Sequence, residues 1–265
     1  MTIDMIHYGY GALSGALVGL TLGLVGGGGS ILAVPLMVYV VGVANPHVAI
    51  GTSALAVAAN AASGLANHAR VGTVKWRCGL VYAAAGVVGA IGGSTIGKAM
   101  DGEKLLFLFS LVMVAVGIMM LRDRRAGGTP GADCTRQNAP KVLGFGLGTG
   151  VFSGFFGIGG GFLIVPGLRM STDMPMVNAV GTSLVAVTAF GLTTAFNYAL
   201  SGMVDWVLAG IFVAGGLIGG VIGTTLAKRL LTGSQLATLF AVLVFAVALY
   251  MMWEGALRLH LIGSA

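Results

Sequence analysis

Polar positions along this chain fall in short clusters separated by long uncharged stretches. After Asp4 the next ionisable residue other than histidine is Arg70, so residues 5–69 carry no fixed charge. Further uncharged windows cover residues 78–97, 105–121, 142–168, 174–204, 206–227 and 230–253. A helix crosses the hydrocarbon core in about 20 apolar residues, so each window is long enough to span, or to enter and return. The pattern predicts an all-α integral membrane protein with about nine or ten membrane-entering segments.

The pattern also repeats. At an offset of 130 to 131 residues, Gly28-Gly29-Ser30-Ile31-Leu32-Ala33-Val34-Pro35 lies over Gly159-Gly160-Gly161-Phe162-Leu163-Ile164-Val165-Pro166. Gly51-Thr52-Ser53 lies over Gly181-Thr182-Ser183, and Asn67, Gly72 and Trp76 over Asn197, Gly202 and Trp206. Chance matches of glycine are expected in a chain with 46 of them, but ordered agreement of Pro, Thr-Ser, Asn and Trp is the mark of a duplication. Residues 1–121 and 142–265 form two transmembrane repeats. Residues 122–141, RDRRAGGTPGADCTRQNAPK, read as a polar linker between them. Gly11, Gly15, Gly19 and Gly23, spaced four apart, read as helix-packing positions, as do their matches Gly146, Gly150 and Gly154 and the pairs Gly89/Gly219 and Gly93/Gly223.

Each repeat opens with a glycine-interrupted pair of short segments, residues 11–25 with 30–41 and residues 143–156 with 162–168, followed by three longer spans. If the pair is a broken span the repeats are parallel; if it is a hairpin they are inverted. With the Arg-rich linker cytoplasmic, inversion places eleven Lys/Arg inside and three outside, against nine and five for the parallel arrangement. The positive-inside rule therefore favours two inverted-topology repeats, each a Gly-broken helical hairpin followed by three transmembrane helices.

Inverted repeats with discontinuous helices are a transporter plan, with substrate near the midplane where half-helix N-termini point at it. A half-helix beginning at Ser30 or Phe162 offers free N–H groups and roughly +0.5 of an elementary charge. Gly28, Gly29, Gly159, Gly160 and Gly161 let an oxyanion approach those amides, although the same glycines also serve close packing. Ser30, Thr52, Ser53, Thr182 and Ser183 add hydroxyls, with helix N-capping as the alternative role for the Thr-Ser pairs. Asn67 and Asn197, at matched and apparently deep positions, either line the cavity or bridge helices. These twelve residues are the candidate anion-binding set.

Other chemistry is argued against. All eight acidic residues fall in predicted loops or termini, whereas cation and proton pathways place carboxylates inside the membrane. His47 and His68 match Val177 and Tyr198, so a shared proton relay is not encoded. No span carries a nucleophile, metal cluster or carboxylate pair, so no enzyme, metal site or cofactor is expected. The formal charge of +6 comes from short loops rather than one basic face, which speaks for topology and against nucleic acid. Cys78 and Cys134 read as unpaired thiols beside cytoplasmic loops. The N-terminus lacks the basic start of a secretory signal, so the first segment reads as retained.

The glycine blocks at 26–35 and 157–166, the two Gly-Thr-Ser triplets and the Asn67–Trp76 and Asn197–Trp206 blocks resemble the TauE/SafE family, also called the 4-toluene sulfonate uptake permease family. The resemblance covers nearly the whole chain outside linker and tails. It implies transport of sulfur-containing anions, sulfite or organosulfonates such as sulfoacetate, across a bacterial inner membrane, with export as the direction favoured by an inside-negative potential. An anion pore, or a carrier of thiosulfate or a carboxylate, is the alternative. Gly27 stands where the second copy has Ile158, and Ser30 where it has Gly161, so the half-sites are not expected to be identical. The glycine-rich faces allow a homodimer without requiring one.

Overall fold

The computed structural model describes residues 2–122, 128–129, 131–157, 160–230, 242–255 and 257, and among them no strand forms. The order is α1 (Thr2–Val25), a 3-10 segment (Gly26–Leu32), the single turn α2 (Ala33–Pro35), a π segment (Leu36–Val40), α3 (Pro46–Val71), α4 (Trp76–Ala99) and α5 (Gly102–Arg122). The second half contains α6 (Ala139–Phe156), α7 (Gly161–Thr172), α8 (Met176–Ala199) and α9 (Trp206–Leu230), followed by α10 (Val242–Gly255).

Among the described residues α3, α4, α8 and the Trp206–Gly223 part of α9 are long and apolar enough to cross a membrane. Large apolar side chains face outward from them: Leu80, Val88, Ile96, Phe196, Leu217 and Val221 are all exposed. Apolar exposure on that scale suits lipid rather than water. Trp76 and Trp206, matched across the repeat, open α4 and α9 and are also exposed, as interfacial tryptophans are.

The long helices pair between halves. A Cβ on Gly15 would lie 2.2 Å from the Phe212 carbonyl oxygen, and one on Gly19 1.9 Å from that of Gly216. Gly215 and Gly219 meet the carbonyls of Ala12 and Ala16 in return. The same arrangement joins α4 to α6, where Gly89 and Gly93 face the Leu147 and Val151 carbonyls, and Gly150 and Gly154 face those of Gly86 and Ala90. Register rises along both members, so each pair runs parallel. Lipid tails offer no hydrophobic drive between helices, and glycine permits the backbone contact that replaces it. These glycines are packing positions.

α3 and α8 pair differently. Gly51 near the start of α3 abuts Met203 and Tyr198 at the end of α8, while Gly181 near the start of α8 abuts His68 and Thr73 at the end of α3. Gly191 lies against Ala54 and Ala58, and Gly64 against Leu184. These two equivalent helices therefore run antiparallel through the middle of the bundle.

The linker folds back on the bundle, and this corrects the reading of the cysteines. Cys134 is bonded to Cys78 in the first turn of α4, with Cα atoms 5.2 Å apart across a sequence separation of 56. The Lys75 ammonium lies 3.8 Å from the Asp133 carboxylate, and the Thr129 amide and hydroxyl donate to the Asp173 carbonyl (2.8 Å) and carboxylate (2.6 Å). No local pattern in the sequence records this return of the linker. Of the acidic residues expected in loops or at the termini, Glu103 instead occupies the first turn of α5 and Glu254 the last turn of α10.

Candidate functional site

Each half begins with a helix whose chain then reverses. In the first, the Thr21 hydroxyl oxygen comes within 3.5 Å of the Gly29 carbonyl, and a Cβ on Gly29 would lie 2.3 Å from the Leu22 nitrogen. Eight residues along one α-helix would put these groups ~12 Å apart, so the chain has turned back. The returning strand of this hairpin is a succession of 3-10, α and π turns around Pro35, which has no N–H to give. Ser30 is buried within it and does not open a regular half-helix, which corrects the expectation for the first copy. Gly28 belongs to the 3-10 segment, and its surroundings lie outside what is described.

The second hairpin is sharper. α6 ends on Gly157 (φ 69°), and Gly160 (φ 64°) is the N-cap of α7; both take the left-handed conformation that favours glycine. Gly159 lies outside the described residues. No side chain caps α7; the amides of Leu163 and Ile164 already donate to the Gly160 carbonyl (2.9 and 3.0 Å). The amides of Gly161 and Phe162, ahead of the first intrahelical bonds, remain as the positive end of the helix.

One side chain faces that end. The Ser153 hydroxyl oxygen is 3.1 Å from where a Gly160 Cβ would stand; it is fully buried and, among the described residues, has no hydrogen-bond partner. A buried hydroxyl without a partner costs about 1–3 kcal/mol, so its presence asks for a ligand. One turn earlier the Thr149 hydroxyl lies 2.9 Å from the Tyr82 hydroxyl and donates to the Phe145 carbonyl (2.8 Å). The matched positions of the other copy hold Leu22, Val18 and, for Tyr82, Phe212. The Ser153 and Thr149 hydroxyls are therefore particular to the second hairpin. Reasoning from what the copies share passes over Ser153; the available signal was a serine in the uncharged 142–168 window opposite a leucine.

Thr52, Ser53, Thr182 and Ser183 are all fully buried and lie beyond the first turn of their helices rather than at N-caps. Asn45 caps α3 instead, its side chain accepting from the His47 amide. The Thr52 hydroxyl oxygen accepts from the Asp205 amide and that of Thr182 from the Lys75 amide, each at 2.9 Å. These matched bonds tie α3 to the start of α9 and α8 to the start of α4, each across the two halves. Ser53 and Ser183 donate to the carbonyls of Ile50 and Val180 (3.1 and 2.8 Å). Thr52→Val or Thr182→Val, nearly isosteric, leaves one backbone amide unpaired and is expected to lower stability by about 1–3 kcal/mol, measured as a fall in melting temperature in detergent.

The structure brings the second hairpin to the start of α3: a Cβ on Gly157 would lie 2.1 Å from Ile50. The first hairpin's 3-10 segment packs on α7 and α8. The asparagines stand elsewhere. Asn67 is exposed near the end of α3, and Asn197 is half-buried in the last turn of α8 beside Lys98, so neither is as deep as expected. His68 shares a hydrogen bond with Thr73 (2.8 Å), and the His47 ring lies 6.2 Å from that of Tyr198. Among the described residues no three His, Cys, Asp or Glu gather as metal ligands.

Comparison with known proteins agrees with this architecture. The family profile described as Sulfite exporter TauE/SafE matches residues 11–251. A probable membrane transporter protein of Xylella fastidiosa (strain 9a5c) is 50% identical over 264 residues, covering 96% of this chain and 98% of its own length. The probable membrane transporter protein YunE of Bacillus subtilis (strain 168) is 24% identical, covering 91% and 96%. MamO of Paramagnetospirillum magneticum, also named a probable membrane transporter protein, is 29% identical over 63% of this chain and 32% of its own. No solved structure matches. With a multi-pass helical bundle, a glycine-built hairpin in each half and a profile match along most of its length, the chain belongs to the sulfite exporter TauE/SafE family of membrane transporters.

Proposed function

We propose that this transporter carries small sulfur-containing anions, sulfite or an organosulfonate such as sulfoacetate, outward through a bacterial inner membrane, and that its halves are inverted-topology repeats. The antiparallel α3/α8 pair, the parallel α1/α9 and α4/α6 pairs and the eleven-to-three division of Lys/Arg support the inversion. Membership of a family described as sulfite exporters supports the substrate class.

The observation that carries the reading is the unpartnered Ser153 hydroxyl at the uncapped start of α7. An oxyanion there accepts from the Gly161 and Phe162 amides and from Ser153, with no Cβ on Gly160 in its path. Neutral donors and a helix dipole hold the charge without a buried cation, so release does not require breaking an ion pair. A sulfonate or sulfite presents three oxygens, which matches three convergent donors. An inside-negative potential favours anion export by about 2.3 kcal/mol per charge per 100 mV.

Proteoliposomes test this directly. Sulfite or sulfoacetate efflux is expected to saturate with substrate and to accelerate when substrate is added on the far side. Flux that stays linear, without acceleration, would assign a pore instead. Absence of flux for every sulfur oxyanion tested would contradict the substrate class.

A further inference from the structure

The end of the bundle opposite the linker holds a second polar assembly, built from α4 and α8. Lys98, in the last turn of α4, donates to the Asn197 carbonyl (2.9 Å), the Asn197 side-chain oxygen (2.8 Å) and the Ser201 hydroxyl (2.9 Å). The Asn197 amide group in turn donates to the hydroxyls of Ser94 and Thr95. The ammonium also stands 5.9 Å from the centre of the Tyr198 ring, and among the described residues the hydroxyl of that fully buried tyrosine has no partner. All three acceptors on the ammonium are neutral, and among the described residues no carboxylate pairs with it.

A lysine that caps the last carbonyls of a neighbouring helix is stabilising in itself. Capping does not account for the amide and two hydroxyls gathered behind it. Nor does it account for a recurrence in the sequence: at an offset of 130, Ser94, Thr95, Lys98 and Asn197 correspond to Thr224, Thr225, Lys228 and Asn67. The side chains of Thr224, Thr225 and Lys228 lie outside what is described, but in sequence the lysine, the asparagine and two hydroxyl residues recur, while Ser201 is matched by Val71. Lys98, Ser94 and Thr95 come from one half and Asn197 and Ser201 from the other, so the duplication repeats most of the set.

We propose that Lys98, with Asn197, Ser94, Thr95 and Ser201, forms an anion station at the bundle end opposite the linker, taking the same class of small oxyanion before or after it occupies the α7 site. The proposal rests on the anion-transport reading above. The ammonium on its flexible stem exchanges neutral acceptors for a charged one, a stronger bond, while Asn197, held by Ser94 and Thr95, positions it and the Ser201 hydroxyl donates its own hydrogen to a remaining oxygen. A positive charge without a carboxylate partner at this end of the bundle also concentrates anions there and makes capture depend on ionic strength.

The test uses the full chain in phosphatidylcholine vesicles, which present no net anionic headgroup, with sulfite supplied from one face at a time. Lys98→Gln is expected to raise the half-saturating sulfite concentration about tenfold from the face opposite the linker, with little change from the linker face. Lys98→Arg should restore it, and in the wild type added salt should raise the same constant on that face only. Asn197→Asp places a carboxylate against the ammonium and should mimic Lys98→Gln, which keeps the idea testable if one variant folds poorly. Unchanged half-saturation in both variants, with only a lower melting temperature, would reduce Lys98 to a helix cap and overturn the proposal. A wild type that transports no sulfur oxyanion would overturn this and the reading beneath it together.

Discussion

Gly19→Leu, or Gly219→Leu from the α9 side of the same helix pair, is expected to leave little folded transporter. A Cβ at Gly19 would stand 1.9 Å from a backbone oxygen of α9, and no rotamer change relieves a clash with backbone. α1 and α9 would have to separate along their whole length, giving up the dispersion contacts that replace the hydrophobic effect between helices in lipid. The loss is expected to exceed about 4 kcal/mol, beyond the usual range for overpacking. It should appear as aggregation on size exclusion and a collapsed melting transition. Gly148, with nothing within 4 Å of its added Cβ, is the control: Gly148→Ala should be neutral or stabilising by about 0.5–1 kcal/mol. Wild-type melting of Gly19→Leu would refute the pairing of α1 with α9.

The second large effect concerns anion capture. Ser153→Ala should raise the half-saturating concentration for sulfite or sulfoacetate by about tenfold or more while leaving the melting temperature of the anion-free protein equal or higher. The opposite signs follow from one observation: among the described residues nothing partners this buried hydroxyl, so the proposed anion would be its first partner. Gly160→Leu should abolish flux altogether, but less diagnostically. Its φ of 64° strains any side chain, and the new Cβ would sit 2.8 Å from that of Ser153, so folding suffers too. The same caution applies to Gly29, whose added Cβ would meet the α1 backbone at 2.3 Å. A Ser153→Ala protein that melts lower and transports normally would make the serine a packing residue.

Much of this architecture was legible in the chain because it is local or periodic. Uncharged windows, glycines four apart and a repeat near 130 residues lead to the spans, the packing faces and the two hairpins. What a one-dimensional pattern does not encode is partnership. Nothing near Gly15 says that its partner is Phe212 in the other half, or that Thr52 accepts from the Asp205 amide. The Cys78–Cys134 bond was hidden for the same reason, since it depends on the linker doubling back.

Of the candidate site, the glycine blocks were legible in the sequence, and the difference between halves only partly so. Gly160 and Gly161 mark the start of α7, yet the copy matched to it, around Ser30, folds as 3-10 and π turns. Comparing repeats rewards shared residues. Ser153, the unpartnered hydroxyl beside the start of α7, is a residue the first copy replaces with Leu22.

The central claim is that an oxyanion sits at the start of α7, held by backbone amides and Ser153. Diffraction from crystals grown with selenite, a heavier analogue of sulfite, tests it most directly through the anomalous signal of selenium. A peak within hydrogen-bonding distance of the Gly161 and Phe162 nitrogens and the Ser153 hydroxyl is predicted. Selenite bound only elsewhere, with apolar side chains closed over that hydroxyl, would contradict it.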